Sequence, residues 1–179
     1  MTKQKDDYAI VLDYLPYGYP MEGKMNPLVQ AIGEEHFSLL QLIPSRGVTF
    51  TLDEKVYIGP EKRNKIYYIQ GRLPQEKLTE TAKIQLQKFI ERVVVEHEKK
   101  FIDFFNSAQA INTRSHQIEL LPGLGKKHTK EILTERAKKP FESFEDLKER
   151  VKGLPDPKKT VEKRIWEELI ENPRQTIFT

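Results

Sequence analysis

The sequence predicts an α+β fold: a small N-terminal β-barrel, then linker helices, then an all-α C-terminal domain. Three observations carry this. Short aromatic and β-branched runs crowd the first 74 residues with no helical stretch between them. A helical apolar period sets in after Pro74, and one turn-and-helix unit occurs twice beyond residue 111. The boundaries that follow are 1–74 for the barrel, 75–110 for the linker helices and 111–179 for the helical domain.

The first strand is expected at residues 8–14, where Tyr8, Ile10, Val11 and Tyr14 supply β-forming side chains. A loop dense in Pro, Gly and Tyr follows at 15–23 and presents Tyr17 and Tyr19 at the surface, because such a loop cannot easily bury its backbone polar groups. Runs at 28–32 and 36–43, parted by Gly33, Glu34 and Glu35, read as a hairpin, and 48–52 alternates as the next strand. Residues 55–58 and 65–70 complete the set around a turn that carries Lys62 and Arg63. About six short strands in roughly 70 residues suit a small barrel or sandwich. Alternation requires one of Tyr67 and Tyr68 to point inward.

Thr79 or Thr81 then caps a helix whose apolar stripe is Ile84, Leu86, Phe89, Ile90, Val93 and Val94. The pattern continues or restarts through 96–105, and 106–114 reads as an irregular connector.

The stretch with the most chemistry is Leu120-Leu121-Pro122-Gly123-Leu124-Gly125-Lys126-Lys127. Pro122 fixes one backbone angle and the two glycines supply conformations that side chains disfavour. Gly125 hands the chain to a helix over 126–138, whose first N–H groups lack intrahelical partners. Those N–H groups, the positive helix end and the lysines converge on a socket for an anion, most naturally a phosphate. Thr129, Ile132 and Leu133 form the buried stripe, and Lys126, Lys127 and Lys130 share an exposed face. The candidate binding residues here are Gly123, Leu124, Gly125, Lys126, Lys127 and Lys130.

Ser143 starts the next helix with a capping-box-like Ser-Phe-Glu-Asp. The turn at 151–159 then repeats 121–127 with two inserted residues. Pro155 stands for the second glycine and offers no N–H, while Asp156 is the expected N-cap with Pro157 at the first helical position. The second turn is therefore expected to complete the core and the first to bind.

Composition agrees with a local anion site. The formal charge of the 179 residues is +3, and residues 1–112 carry equal numbers of basic and acidic side chains, so the excess lies in 113–179. Within it the basic residues Lys126, Lys127, Lys130, Arg136, Lys138 and Lys139 cluster. With no cysteine there is no disulfide framework, and four scattered histidines (His36, His97, His116, His128) lack zinc-ligand spacing. The polar N-terminus and the absence of a membrane-length apolar run point to a cytoplasmic protein. Asp6, Asp7 and Asp13 have no spacing that predicts metal catalysis, so no enzyme is expected. In the barrel, Lys62 and Arg63 beside Tyr57, Tyr67 and Tyr68 interleave cations with rings as single-strand surfaces do.

The first turn resembles the hairpin of the helix-hairpin-helix family, with Thr129 where that family usually has Ala, and the repeat resembles its tandem arrangement. The whole chain resembles an uncharacterised archaeal family of predicted nucleic-acid-binding proteins with an N-terminal OB-like barrel and a tandem helix-hairpin-helix domain. The residues that carry this are Asp13-Tyr14-Leu15-Pro16-x-Gly18, Phe104-Phe105-Asn106, Thr113-Arg114-x-His116-x-Ile118-Glu119-Leu120-Leu121-Pro122-Gly123 and Pro140-Phe141-x-Ser143-Phe144-Glu145-Asp146-Leu147. The resemblance implies RNA rather than DNA as ligand, with DNA the second candidate. It also implies a potassium or sodium ion on the backbone carbonyls of Glu119, Leu121 and Leu124. The alternative role is an adaptor contacting a ribosomal or transcription-associated protein.

Overall fold

The structure is a computed structural model, and it describes residues 4–179. Five strands form one antiparallel sheet: β1 (Tyr8–Leu15), β2 (Leu28–Gly33), β3 (Leu39–Pro44), β4 (Lys55–Tyr57) and β5 (Ile66–Arg72). Their spatial order is β4-β1-β2-β3-β5, and the sheet curls into a half-barrel with β4 and β5 at its outer edges. Five α-helices follow: α1 (Glu80–Glu96), α2 (Glu98–Ser107), α3 (Lys126–Lys138), α4 (Phe144–Arg150) and α5 (Pro157–Ile170). None is long and apolar enough to cross a membrane among the described residues. The chain divides into two compact units, one through Lys88 that takes in Phe178–Thr179 and one of Phe89–Ile177.

In the first unit Ala9, Val11, Val29, Ala31, Leu42, Phe50, Val56, Ile58 and Ile66 fill the concave side of the sheet. β2 is buried along its whole length, and its side chains are apolar but for one. Its single polar side chain, Gln30, is fully satisfied: Nε2 donates to the Lys77 carbonyl at 2.7 Å and Oε1 accepts the Thr79 N–H at 3.1 Å. Thr79 is the residue that caps α1, taking the Ala82 N–H at 3.0 Å, and its hydroxyl donates to Asp13 Oδ2 at 2.6 Å.

Three expectations need correction here. Residues 48–52 are not a strand. They form a loop that inserts Phe50 against Tyr14 with ring centroids 5.4 Å apart. The strand expected at 36–43 begins only at Leu39, because Phe37 adopts φ 53° in the turn. Tyr67 and Tyr68 are both exposed, at 73% and 46%, since the β3–β5 register slips between Ile43 and Pro44 and breaks the alternation.

The carboxylates set aside as catalytic candidates do structural work where their bonds are seen. Asp6 Oδ1 accepts the N–H groups of Glu35 and His36, closing the β2–β3 turn, and a side chain at Gly33 would collide with Asp6. Asp13 receives Thr79, as above.

In the second unit the helical pattern restarts rather than continues: α1 ends at Glu96 and α2 begins at Glu98. Ser143 accepts the Asp146 N–H at 3.0 Å and caps α4, and Asp156 accepts the Lys158 N–H at 3.0 Å and caps α5 with Pro157 in its first turn. Val161, Ile165 and Leu169 on α5 are buried, with Phe141, Phe144 and Leu147. The connector at 106–114 is more ordered than irregular: Asn106 exchanges two hydrogen bonds with the backbone of Phe141, and Ala110 forms a β-bridge with His116.

Candidate nucleic-acid interface

A 3-10 turn at Gln117–Leu120 leads into the first hairpin. It is built by a reciprocal cap. His116 Nδ1 accepts the Ile118 N–H at 3.2 Å, and Glu119 Oε2 accepts the His116 N–H at 2.7 Å. Burial, then the charge of Arg136, pushes the His116 pKa down, which keeps the imidazole neutral and its Nδ1 able to accept. Leu121 and Leu124 are buried on either side of the turn, so its apex projects outward between two anchors.

Gly123 has φ +79°, a left-handed backbone that a residue with a Cβ adopts at a cost. Gly125 differs. Its φ is −109°, and a Cβ there would meet nothing within 4 Å, so nothing inside the protein requires glycine. Its effect is to leave the start of α3 bare. No side chain caps that helix, no acidic residue lies in its first turn, and among the described residues no acceptor meets the N–H groups of Lys126, Lys127 or His128. Thr129 secures the turn behind this end, its N–H and hydroxyl both donating to the Gly125 carbonyl at 3.0 and 2.9 Å.

The basic cluster separates into struts and free cations. Lys126 Nζ donates to the Arg114 carbonyl and pairs with Glu119 at 3.1 Å, holding the Glu119 carboxyl below the usual range with help from the His116 N–H. Arg136 turns inward onto the carbonyls of Phe105 and Ala108 at 3.0 and 2.8 Å. Lys138 pairs with Glu135 and Lys139 with Glu142. Lys127 and Lys130 remain, exposed and without a partner among the described residues.

Two further cations join them that charge clustering along the chain could not find. Lys152, from the second turn, lines a concavity with Lys127 and Lys130, and Arg114 lines another with Lys126 and Lys130. Arg114 lies twelve residues before Lys126, and the Lys126 bond to its carbonyl, with the Lys126–Glu119–His116 chain of bonds, holds the two segments together.

The second hairpin repeats the first in backbone. Gly153 has φ +77°, Leu154 is buried as Leu124 is, and the Thr160 N–H returns to the N-cap carbonyl as Thr129 does. One residue, not two, is inserted between the left-handed glycine and the N-cap, and that residue is Pro155. His128 Nε2 lies 3.2 Å from the Gly153 carbonyl, tying the two turns to each other.

The barrel residues singled out in the sequence are dispersed. Tyr17 is 69% exposed. Tyr19 is half-buried rather than free at the surface: its hydroxyl donates to Gln41 at 2.8 Å and accepts from Gln30 at 3.2 Å, and Lys77 Nζ sits 4.9 Å from the ring centroid. Burial raises its pKa. Arg63 Nε donates to the Gly59 carbonyl at 2.8 Å, Lys55 pairs with Glu34 and Lys65 with Glu54, so Lys62 is the free cation of that turn among the described residues. No three His, Asp or Glu side chains converge as a metal site among the described residues.

Comparison with known proteins places this geometry in a family. The family model for a protein of unknown function, DUF655, matches residues 5–179. An uncharacterised protein of Methanocaldococcus jannaschii, MJ0038, is 42% identical over 173 residues, covering 97% of this chain and 78% of that protein. The crystal structure of Af1531 from Archaeoglobus fulgidus, a DUF655 protein, superimposes with a TM-score of 0.83 at 44% identity, covering 97% of this chain and 99% of that one.

Proposed function

The chain belongs to the DUF655 family of uncharacterised proteins, and we propose that it is a non-enzymatic nucleic-acid-binding protein that grips a phosphate backbone through the first hairpin. One observation carries the reading: α3 begins with uncapped, acid-free N–H groups beside the exposed glycines Gly123 and Gly125, flanked by the unpaired cations Lys127 and Lys130. Such an end supplies aligned donors and positive potential to a phosphate oxygen. The paired left-handed glycines support the likeness to a tandem helix-hairpin-helix domain, in which the second copy completes the core.

RNA is the favoured ligand. The five-stranded antiparallel half-barrel, in the order β4-β1-β2-β3-β5, supports an OB-like reading, and OB barrels take single strands on exposed rings. Tyr8, Tyr17, Tyr67 and Tyr68 are exposed rings of this sheet and its first loop.

A potassium or sodium ion, if bound, would be held by backbone carbonyls at the apex and would supply positive charge toward a phosphate. The Leu121 carbonyl accepts a single N–H, from Leu124 at 3.2 Å, and no donor meets the Leu124 carbonyl among the described residues, so both retain lone pairs. With the Glu119 carbonyl they are the groups that would hold it.

Fluorescence anisotropy with a short structured RNA tests the reading. Gly125→Ala should lower affinity while the fold persists, and raising salt should weaken binding along a linear log–log slope. An adaptor with an apolar interface would instead be indifferent to salt. Higher affinity in potassium than in tetramethylammonium, at matched ionic strength, would support the ion.

A further inference from the structure

Residues 110–116 fold into a small hairpin of their own ahead of the first turn. Ala110 and His116 form its bridge, the Ile111 and Asn112 N–H groups donate to the Ser115 carbonyl, and Asn112 Oδ1 accepts the N–H groups of Arg114 and Ser115 at 2.8 and 3.0 Å. Lys126 braces the tip through the Arg114 carbonyl. The result is a second wall facing α3, with an open groove of about 490 Å³ between them.

The chemistry of its walls is one-sided. Arg114 stands on the turn and Lys130 on α3, both exposed and unpaired among the described residues, with the hydroxyls of Thr113 and Ser115 beside Arg114. The one carboxylate present, Glu119, is already engaged by Lys126 and the His116 N–H. Ala110 and Leu133 add apolar surface to the lining. Donors and cations beside apolar surface suit a phosphodiester chain whose sugars lie against carbon. The concavity bearing Lys152 differs, since Glu131 and Glu135 line it.

We propose that this cleft holds an unpaired nucleic-acid strand, its phosphates clasped between Arg114 and Lys130, continuing from the phosphate held at the first hairpin. The inference rests on the hairpin grip proposed above. An open groove between two walls admits one strand lying along it, whereas a duplex presents a wider convex surface that meets the exposed apex with Lys127 and Lys130 and stays clear of Arg114. The protein therefore prefers a duplex that carries a single-stranded tail over a blunt one.

The test measures affinity of the full chain for a blunt RNA duplex and for the same duplex with a short tail, across salt. Arg114→Gln should lower affinity for the tailed duplex roughly tenfold, as for one charge-assisted contact, and leave the blunt duplex within about twofold. The salt slope on the tailed form should flatten by about 0.7, one single-strand phosphate contact. Arg114→Lys should recover part of the loss, and Lys127→Gln should weaken both forms. Equal loss on both duplexes with Arg114→Gln, or no loss on either, overturns the cleft while Lys127→Gln still reports on the hairpin. Wild-type protein that binds neither form overturns the hairpin grip and the cleft with it.

Discussion

The two hairpins of the helical unit share a backbone and differ in what stands at the head of the following helix. Each has a left-handed glycine, at φ +79° and +77°, a buried leucine next to it and a buried threonine bonded to the N-cap carbonyl. In the second, Asp156 already occupies the helix N-terminus, its carboxylate taking the Lys158 N–H, and Pro155 removes one donor. In the first, Gly125 leaves that terminus open. The proposed anion site is thus a matter of what is withheld. The same turn is a closed structural joint where the protein supplies its own carboxylate, and is left open where it supplies none.

The largest expected effect comes from removing the free cations of the first copy. Lys127→Glu with Lys130→Glu should cost at least about a hundredfold in affinity for structured RNA, two charge-assisted contacts being lost and reversed. Thermal melting should be unchanged, because neither lysine has a partner to lose among the described residues. Binding that survives this pair at low salt would place the interface elsewhere.

Converting the first copy into the second is the sharper experiment. Gly125→Asp places a carboxylate at the N-cap of α3, where it caps the helix and occupies the anion's position. Affinity should fall about tenfold or more, while stability changes by only a few tenths of a kcal/mol, the usual difference between Gly and Asp at this position. Loss of binding without loss of stability separates a ligand site from a structural turn. The reciprocal change, Pro155→Ala, should leave affinity within about twofold, since the Asp156 cap remains. Were Pro155→Ala the more damaging of the two, the roles of the hairpins would be reversed.

The smallest effect is a pH dependence confined to the first copy. The folded pKa of His116 is lowered, chiefly by burial and then by Arg136, with Glu119 opposing. The unfolded chain therefore binds a proton more readily than the folded one. Stability is full above the unfolded value of about 6.5 and declines as pH falls below it toward the lowered folded value. Protonation also removes the Nδ1 lone pair that accepts the Ile118 N–H. Hydrogen exchange at Ile118 should accelerate below about pH 6.5 more than at Val151, whose N–H donates to the Leu147 carbonyl in the second copy. Replacing His116 by Asn, which still accepts at the cap, should abolish the difference.

Local chemistry made much of this molecule legible from its residues. The left-handed glycines, the caps at Thr79, Ser143 and Asp156, the two turns and the uncapped start of α3 all depend on neighbours within a few positions, so spacing alone reveals them. Strand count failed where backbone pairing is set at a distance: residues 48–52 alternate as a strand would, yet Phe50 is drawn into the sheet interior as part of a loop. The inward ring expected of Tyr67 or Tyr68 failed for a related reason, a register slip set by the neighbouring strand. Among the basic residues the sequence determined the number and the neighbourhood, and the tertiary structure decided which are free. Lys126 and Arg136 became struts because a carboxylate and two open carbonyls lie within reach, and Arg114 lines a concavity with Lys130 because a folded turn carries it there. A charge's partners are found across the fold rather than along the chain, and only folding brings them within bonding distance.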